Sequence, residues 1–387
     1  LMIKKIITYS VITFFSIFLA AYLFEGFLIW KFNGENEFSK LKKNYENKSG
    51  KKFDTRSRYE IYTDKKKTNN NIVIDITPSN YLAFDNLDLF PLSGISMSET
   101  IFCNENGYYA IYDSDRYGYN NPDKEWNSNE IHHLLIGDSF TQGACVNRPN
   151  DMSSVLRELS NKTVINLGYG GNGPLIQYGI LREYLRPNVK NIIWMYYEGN
   201  DLIELNDELK SNILKNYLNK PDFSQNLIQK QDKVNLMANQ LIIREKINAK
   251  ERKRQNSLRF QTKQFILLKK LRNYLQFERP EYNYEVFKQI IDSANNLALR
   301  NNSKLYFVYL PEISRYKNNY DITKYSSVKK IVNSLDIPII DIHEKVFKKK
   351  DNPLNLFTFE RIKHYRGHYT ISGYKQIAEA INKFISN

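Results

Sequence analysis

Cysteine is nearly absent from this chain: Cys103 and Cys145 are its only two among 387 residues. They form no C-x-x-C pair, and the five histidines are not clustered with them, which argues against a structural zinc site. No bound metal and no cofactor is expected. An oxidising compartment would permit a Cys103–Cys145 disulfide; two unrelated buried thiols fit the same sequence. Internal repeats are missing too. Acids are in deficit, with 42 Asp and Glu against 56 Lys and Arg, for a formal net charge of +14. That excess favours anionic partners: nucleic acid, a lipid surface or an acidic polysaccharide. Apolar residues, by contrast, are plentiful at 42%, with 14% aromatic, which excludes global disorder. The length leaves room for two average domains, or for one large domain with an insertion and a tail.

No charge interrupts the stretch from Ile6 to Phe24. As a helix it would be roughly 28 Å long, close to the ~30 Å hydrocarbon core of a bilayer. Glu25 would then reach the far interface, with Tyr22 and Trp30 as interfacial aromatics. A retained single span over residues 1–30 is the expectation. A cleaved signal peptide is the rival, since Lys4 and Lys5 precede the apolar run, but its core would be too long and Ala20-Ala21 is a weak cleavage site. A buried soluble helix is the plainest alternative. For orientation, Lys31, Lys40, Lys42 and Lys43 compete with Lys4 and Lys5.

Residues 33–70 are polar and lysine-rich, as in a solvated stalk with some local helix. From Ile72 to Trp126, short runs such as NIVIDI (71–76) and YYAIY (108–112) predict strands of a small accessory layer. From His132 the pattern changes to strands alternating with helices. The strands are HHLLIGDS (132–139), TVINLGYG (163–170), NIIWMYYEGND (191–201), LYFVYL (305–310) and IPIIDI (337–342). Amphipathic helices separate them, one with Phe287, Ile290, Ile291 and Ala294 on a single face, another with Tyr374, Ile377, Ala378 and Ile381. Continuous apolar strands between amphipathic helices predict an α/β fold, a parallel sheet covered on both faces. Ligands bind such sheets at the carboxyl ends of the strands. Residues 205–282 interrupt the alternation as a helical insertion. Within it, Arg244 to Arg272 carries eleven Lys and Arg against two acids. Interleaved leucines and phenylalanines suggest a basic amphipathic helix for an anionic lipid or an acidic glycan. A solvated helix packing its apolar stripe on the core is the alternative. No nucleic-acid module is visible there, so no nucleic-acid partner is expected.

Four elements carry chemistry only in combination. Gly137-Asp138-Ser139 follows the first strand, where a small residue permits the sharp turn that exposes a serine hydroxyl. Asn166-Leu167-Gly168-Tyr169-Gly170-Gly171 ends the second, where glycine lets a backbone N–H approach a substrate oxygen. Gly199-Asn200-Asp201 ends the third and offers a side-chain amide donor. His368 precedes the last helix and could take a serine proton. Each alone is a common turn, loop, cap or surface histidine. Their order and placement give them weight.

On these residues the chain resembles the SGNH (GDSL-like) hydrolases. GDSFTQG (137–143) resembles the family's first block, NLGYGG (166–171) the second, GND (199–201) the third and GHYTISGY (367–374) the last. The likeness covers about 130–204 and 283–387. It implies a flavodoxin-like sheet, with Ser139 as nucleophile and His368 as base. The oxyanion hole would be formed by the N–H groups of Ser139 and Gly171 and the Asn200 side chain. One departure stands out: the aspartate that the family places three residues before its histidine is Tyr365 here. Either a backbone carbonyl orients His368 in a Ser-His dyad, or a distant acid does so, with Asp341, Asp351 and Glu360 as candidates. Asp138 reads as a turn residue. The segment SDRYGYNNPD (114–123) is similar to that of membrane-anchored bacterial members associated with surface polysaccharides, which implies O-acyl esters of extracytoplasmic glycans as substrates.

The expected organisation is therefore an anchor at 1–30, a stalk and accessory region at 31–129, and an SGNH-like domain at 130–387 containing the insertion. The hydrolase domain would lie outside the cytoplasm, in the periplasm of a Gram-negative cell. An O-acyltransferase or a non-catalytic glycan-binding module are the alternative functions.

Overall fold

The computed structural model describes residues 2–31, 35–255, 257–276, 281–317, 320–358 and 367–386. It divides into two compact units. Among the described residues, one gathers the chain up to Lys51 and the stretch beginning at Lys246, and the other holds Lys52–Glu245 and the residues from Glu281 onward.

The first unit contains α1 (Met2–Lys31) and α2 (Glu35–Ser49). α1 is long and apolar enough to cross a membrane, and its apolar window is unburied. Near its end Glu25 is fully buried within the unit. The second unit opens with α3 (Arg58–Lys65), started by a capping box in which Ser57 and Glu60 satisfy each other's backbone N–H groups. Three short strands follow: β1 (Ile72–Ile74), β2 (Glu99–Ile101) and β3 (Ile111–Asp113), with β1 parallel to β2 and β2 antiparallel to β3.

The larger sheet comprises β4 (Ile131–Gly137), β5 (Val164–Asn166), β6 (Val189–Tyr197), β7 (Lys304–Leu310) and β8 (Ile339–Asp341), in the order β5-β4-β6-β7-β8. All pairings are parallel. Counted from β4 this is the order 2-1-3-4-5 of flavodoxin-like sheets. Side chains alternate strictly between the faces, as a period of two requires. Ile192, Trp194 and Tyr196 of β6 join the core on one side with Leu305, Phe307 and Tyr309 of β7. Ile193, Met195 and Tyr197 join the other with Tyr306, Val308 and Leu310. Because helices cover both faces, neither set could be polar, and so these strands read as unbroken apolar runs.

The covering helices, in chain order, begin with the short α4 (Ser139–Gln142), then α5 (Met152–Ser160), α6 (Pro174–Tyr184), α7 (Asp201–Glu208) and α8 (Asn212–Asn219). Next come α9 (Gln231–Gln255), α10 (Leu258–Ile266) and α11 (Lys269–Leu275), then α12 (Tyr284–Arg300), α13 (Thr323–Asn333), α14 (Ile342–Lys345) and α15 (Ile371–Ser386). α6 and α12 bury Ile176, Ile180, Phe287 and Ile291 on the first face; α5 and α15 bury Met152, Leu156, Tyr374 and Ile377 on the second.

The insertion is split between the units: its part up to Glu245 belongs with the sheet, and α10, α11 and the end of α9 belong with α1. The accessory strands likewise fall in the same unit as the parallel sheet. Asp115 is central to that union. Its buried carboxylate accepts from the backbone N–H groups of Tyr117 and Tyr119, from Asn121 Nδ2 and from Trp126 Nε1, at 2.7–3.0 Å. Asn121 then exchanges two hydrogen bonds, both 2.8 Å, with the backbone of Asn166 at the end of β5. The segment 114–123 is thus a buried polar network under the loops that follow β4 and β5.

Candidate active site

β4 and β6 are neighbours, and the connection leaving β4 runs to β5 on one side while that leaving β6 runs to β7 on the other, which opens a crevice at the strands' carboxyl ends. Ser139 follows β4, Gly171 follows β5 and Asn200 follows β6. At the first of these ends, Gly137 leaves no room for a side chain: a β-carbon there would stand 2.1 Å from Thr141 Oγ1 and 2.8 Å from Met195 O. The chain therefore turns sharply against β6. Asp138 caps α4 by accepting from Phe140 N at 2.9 Å, which leaves Ser139 as the first helical residue.

Ser139 Oγ lies 2.8 Å from His368 Nε2. The histidine is held from three sides. Thr358 N donates to His368 O at 2.9 Å, and Tyr369 beside it forms an antiparallel bridge with Phe357. The Phe140 ring packs 4.6 Å from the imidazole and stacks on Tyr197 at 3.9 Å. The third support is Glu105. Its Oε1 is 2.8 Å from His368 Nδ1, while Oε2 accepts from His368 N at 2.8 Å and from Thr358 Oγ1 at 2.7 Å. Glu105 and His368 are 13% and 20% exposed, so this pair is largely shielded from water.

The acid beside His368 is therefore none of those expected. Asp341 instead accepts from Lys329 Nζ and Tyr325 OH and caps α14. Asp351 is exposed. Glu360, Tyr365 and Arg366 lie outside the described residues. A carboxylate, rather than a backbone carbonyl, faces Nδ1, and it comes from the accessory layer.

Burial works to raise the Glu105 carboxyl, but the facing charge of His368 and the hydrogen bonds from His368 and Thr358 outweigh it and hold it below its usual value. Burial works to lower His368; the Glu105 charge and hydrogen bond, helped by Asp138, prevail and raise it. Carboxylate, imidazole and hydroxyl thus form a graded chain, with the imidazolium stabilised at its Nδ1 side.

The expected donors, Gly171 N and the Asn200 amide, follow the other two strand ends. Gly170 N is committed to Gln142 Oε1 at 2.8 Å. Gly171 sits at φ +68°, the left-handed region, and a β-carbon there would stand 2.6 Å from Ser79 Oγ. Asn200 Nδ2 donates to Glu204 Oε1 at 2.6 Å, which uses one of its two amide hydrogens. Behind these donors lies a group of buried carboxyls. Burial, reinforced by the charge of Asp138, pushes Glu204 up to about 8. Burial and the Glu204 charge push Glu208 up to about 8, while its oxygens accept from Gly173 N and Leu175 N at the start of α6. Asp138 and Asp201 are raised by burial as well.

Sequence reasoning missed Glu105 because it belongs to no motif block. The signal that could have found it is Cys103, two residues earlier. Cys103 and Cys145 form a disulfide, and Cys145 lies just beyond the Ser139 turn.

No family model and no curated protein matches the chain. Several solved structures are similar to it. An acetyl xylan esterase, AlAXEase, is 12% identical over 66% of this chain and 100% of that chain, with a TM-score of 0.36. A mutant of Axe2, an acetyl-xylooligosaccharide esterase from Geobacillus Stearmophilus, is 14% identical over 67% of this chain and 95% of its own, at a TM-score of 0.36. A GDSL-like lipase from Bacteroides thetaiotaomicron VPI-5482 is 12% identical over 69% and 90%, at 0.33.

Proposed function

We propose that the unit built on the parallel sheet is a serine esterase of the SGNH type, cleaving O-acyl esters through an acyl-enzyme on Ser139. The observation that carries this reading is the continuous hydrogen-bonded chain Ser139–His368–Glu105, with links of 2.8 Å each. Ser139 Oγ attacks the acyl carbon while His368 Nε2 takes its proton. The carbonyl π electrons move to the oxygen, which is met by the N–H groups of Ser139 and Gly171 and by the free amide hydrogen of Asn200. Collapse expels the alcohol, which takes the proton from His368. Water then attacks the acyl-serine by the same route and releases the acid.

Labelling with a fluorophosphonate tests this reading without knowledge of the substrate. Parent protein should be labelled on Ser139; absence of labelling under conditions that label an unrelated serine esterase would overturn it. The Asn200→Ala variant should lose about 10²–10³ in kcat with KM little changed, because the amide acts mainly on the transition-state oxyanion. A kcat within twofold of the parent would remove Asn200 from the oxyanion hole.

As substrate class we propose O-acyl groups on extracytoplasmic glycans, supported by the likeness of residues 114–123 to polysaccharide-associated members. A sugar hydroxyl replacing water in the second step would make the protein an O-acyltransferase with the same residues. The proposed setting is a membrane surface, with α1 as the span. Tyr22 OH donates to Ile266 O at 2.8 Å, and Glu25 accepts from Lys270 N and Leu271 N at 2.9 and 2.6 Å. α10 and α11 are thereby fastened where the uncharged run of α1 ends. They carry Arg259, Lys263, Lys269, Lys270 and Arg272 with no acid, and they and the turn between them expose Leu258, Ile266, Leu267 and Leu275. That combination suits an anionic headgroup layer, where each basic residue contributes about 1 kcal/mol. Full-length protein in nanodiscs should show slower amide exchange over 258–275 with anionic than with zwitterionic lipid, and added salt should erase the difference. Equal exchange in both would reject the lipid assignment. Protection by a soluble acidic glycan alone would transfer the surface to that ligand.

A further inference from the structure

We propose that the Cys103–Cys145 disulfide is a positioning element of the active site: it holds the Glu105 loop against the turn after Ser139, so that opening it withdraws the carboxylate from His368. The inference rests on the reading of Ser139, His368 and Glu105 given above.

The disulfide lies against the catalytic groups themselves. Cys145 Sγ, a Glu105 carboxylate oxygen and a His368 ring nitrogen are all within 4.8 Å of one another. Its two ends belong to different parts of the site. Cys103 opens the loop that carries Glu105 and closes on itself through Ala110 N to Cys103 O and Phe102 N to Ala110 O, both 2.9 Å. Cys145 follows α4, whose first residue is Ser139. It adopts φ +61°, a region disfavoured for any residue with a β-carbon, so the surrounding structure holds it there.

Apart from the disulfide, hydrogen bonds join the loop and its flank to this turn: Asn106 Nδ2 to Cys145 O and Ile111 N to Asn147 Oδ1, each 2.9 Å. Asn104 and Gly107 are tied elsewhere, to the backbone of Asp54. The one covalent link between the carboxylate's loop and the serine's turn is therefore this bond. Glu105 is the member of the hydrogen-bonded chain that comes from the accessory layer, on the loop between β2 and β3. Its register against His368 depends on how the accessory layer is fastened.

Reduction by a trialkylphosphine opens the bond in a balanced step. Phosphorus is oxidised to the phosphine oxide, water supplies its oxygen and two protons, and the two sulfurs leave as thiols. The expected result is a fall in kcat of about tenfold or more with KM little changed, reversed on reoxidation. Because the Glu105 charge no longer supports the imidazolium, the His368 titration should move to lower pH. In NMR this shift is readable whether or not a substrate is known, so it separates failure of the proposal from failure of the esterase reading. The C103S/C145S double variant should behave like the reduced protein. In Glu105→Gln protein, reduction should add nothing further, since both changes act through one contact. Near-UV circular dichroism checks that the reduced protein stays folded. An unmoved His368 titration after reduction, or an equal loss of kcat on reduction in the Glu105→Gln background, overturns the proposal.

Discussion

Ser139→Ala and His368→Ala are each expected to lower kcat on a short-chain aryl ester by about 10⁴-fold or more, and the double variant by no more than either alone. A serine hydroxyl of ordinary acidity attacks an ester only when a base takes its proton in the same step. Without His368 the hydroxyl is inert; without Ser139 the imidazole has nothing to activate. The two losses therefore overlap instead of multiplying. Residual catalysis over water comes from the oxyanion donors and substrate binding, and is untouched by either change. His133 is the control. It sits at the start of β4, at the opposite end of the sheet from Ser139, and burial lowers it to about 4, so it stays neutral. His133→Gln should leave kcat unchanged. Turnover by the Ser139→Ala protein equal to that of the parent, or losses that multiply in the double variant, would contradict the shared role.

The five strands of the main sheet were legible because each is buried on both faces. A run such as Ile192–Tyr197 has no polar alternation to confuse it with an exposed strand, and its carboxyl end places Asn200. The turn that presents Ser139 to His368 left a related trace: Gly137-Asp138-Ser139 at a strand end is local composition that can be recognised. β2 was not anticipated; three residues, Glu99–Ile101, are too few for any periodicity. Glu105 was illegible in a deeper sense. Nothing in Asn104-Glu105-Asn106 distinguishes it from a solvated turn, and what brings it to His368 is tertiary: the loop is tied to the turn after Ser139 by the Cys103–Cys145 disulfide and by Asn106 Nδ2 donating to Cys145 O. A disulfide and two unrelated buried thiols fit the same two cysteines, so the one clue carries no weight by itself. The nominal boundary at 129/130 hid it further, since it set the acid and the base in separate regions.

Glu105→Gln should lower kcat by about 10²–10⁴-fold while leaving KM close to the parent's. The glutamine keeps the volume and can still accept from His368 N, so the fold is expected to persist. What it loses is the charge, and with it the preference for a proton on Nδ1. An amide whose NH₂ faces Nδ1 holds the other tautomer, with the proton on Nε2, which cannot accept from Ser139. The pH profile carries the sign. His368 works only when neutral, and Glu105 raises its pKa, so the parent's acid limb lies above the ordinary histidine value. Removing that charge lowers the pKa, and the acid limb should move to lower pH even as the maximum falls. A change in packing alone would lower the plateau without this displacement. Glu105→Asp, which keeps the charge on a shorter arm, should restore part of the rate and hold the limb nearer the parent's position. A Glu105→Gln protein with parental kcat and an unmoved acid limb would leave Ser139 and His368 acting as a dyad.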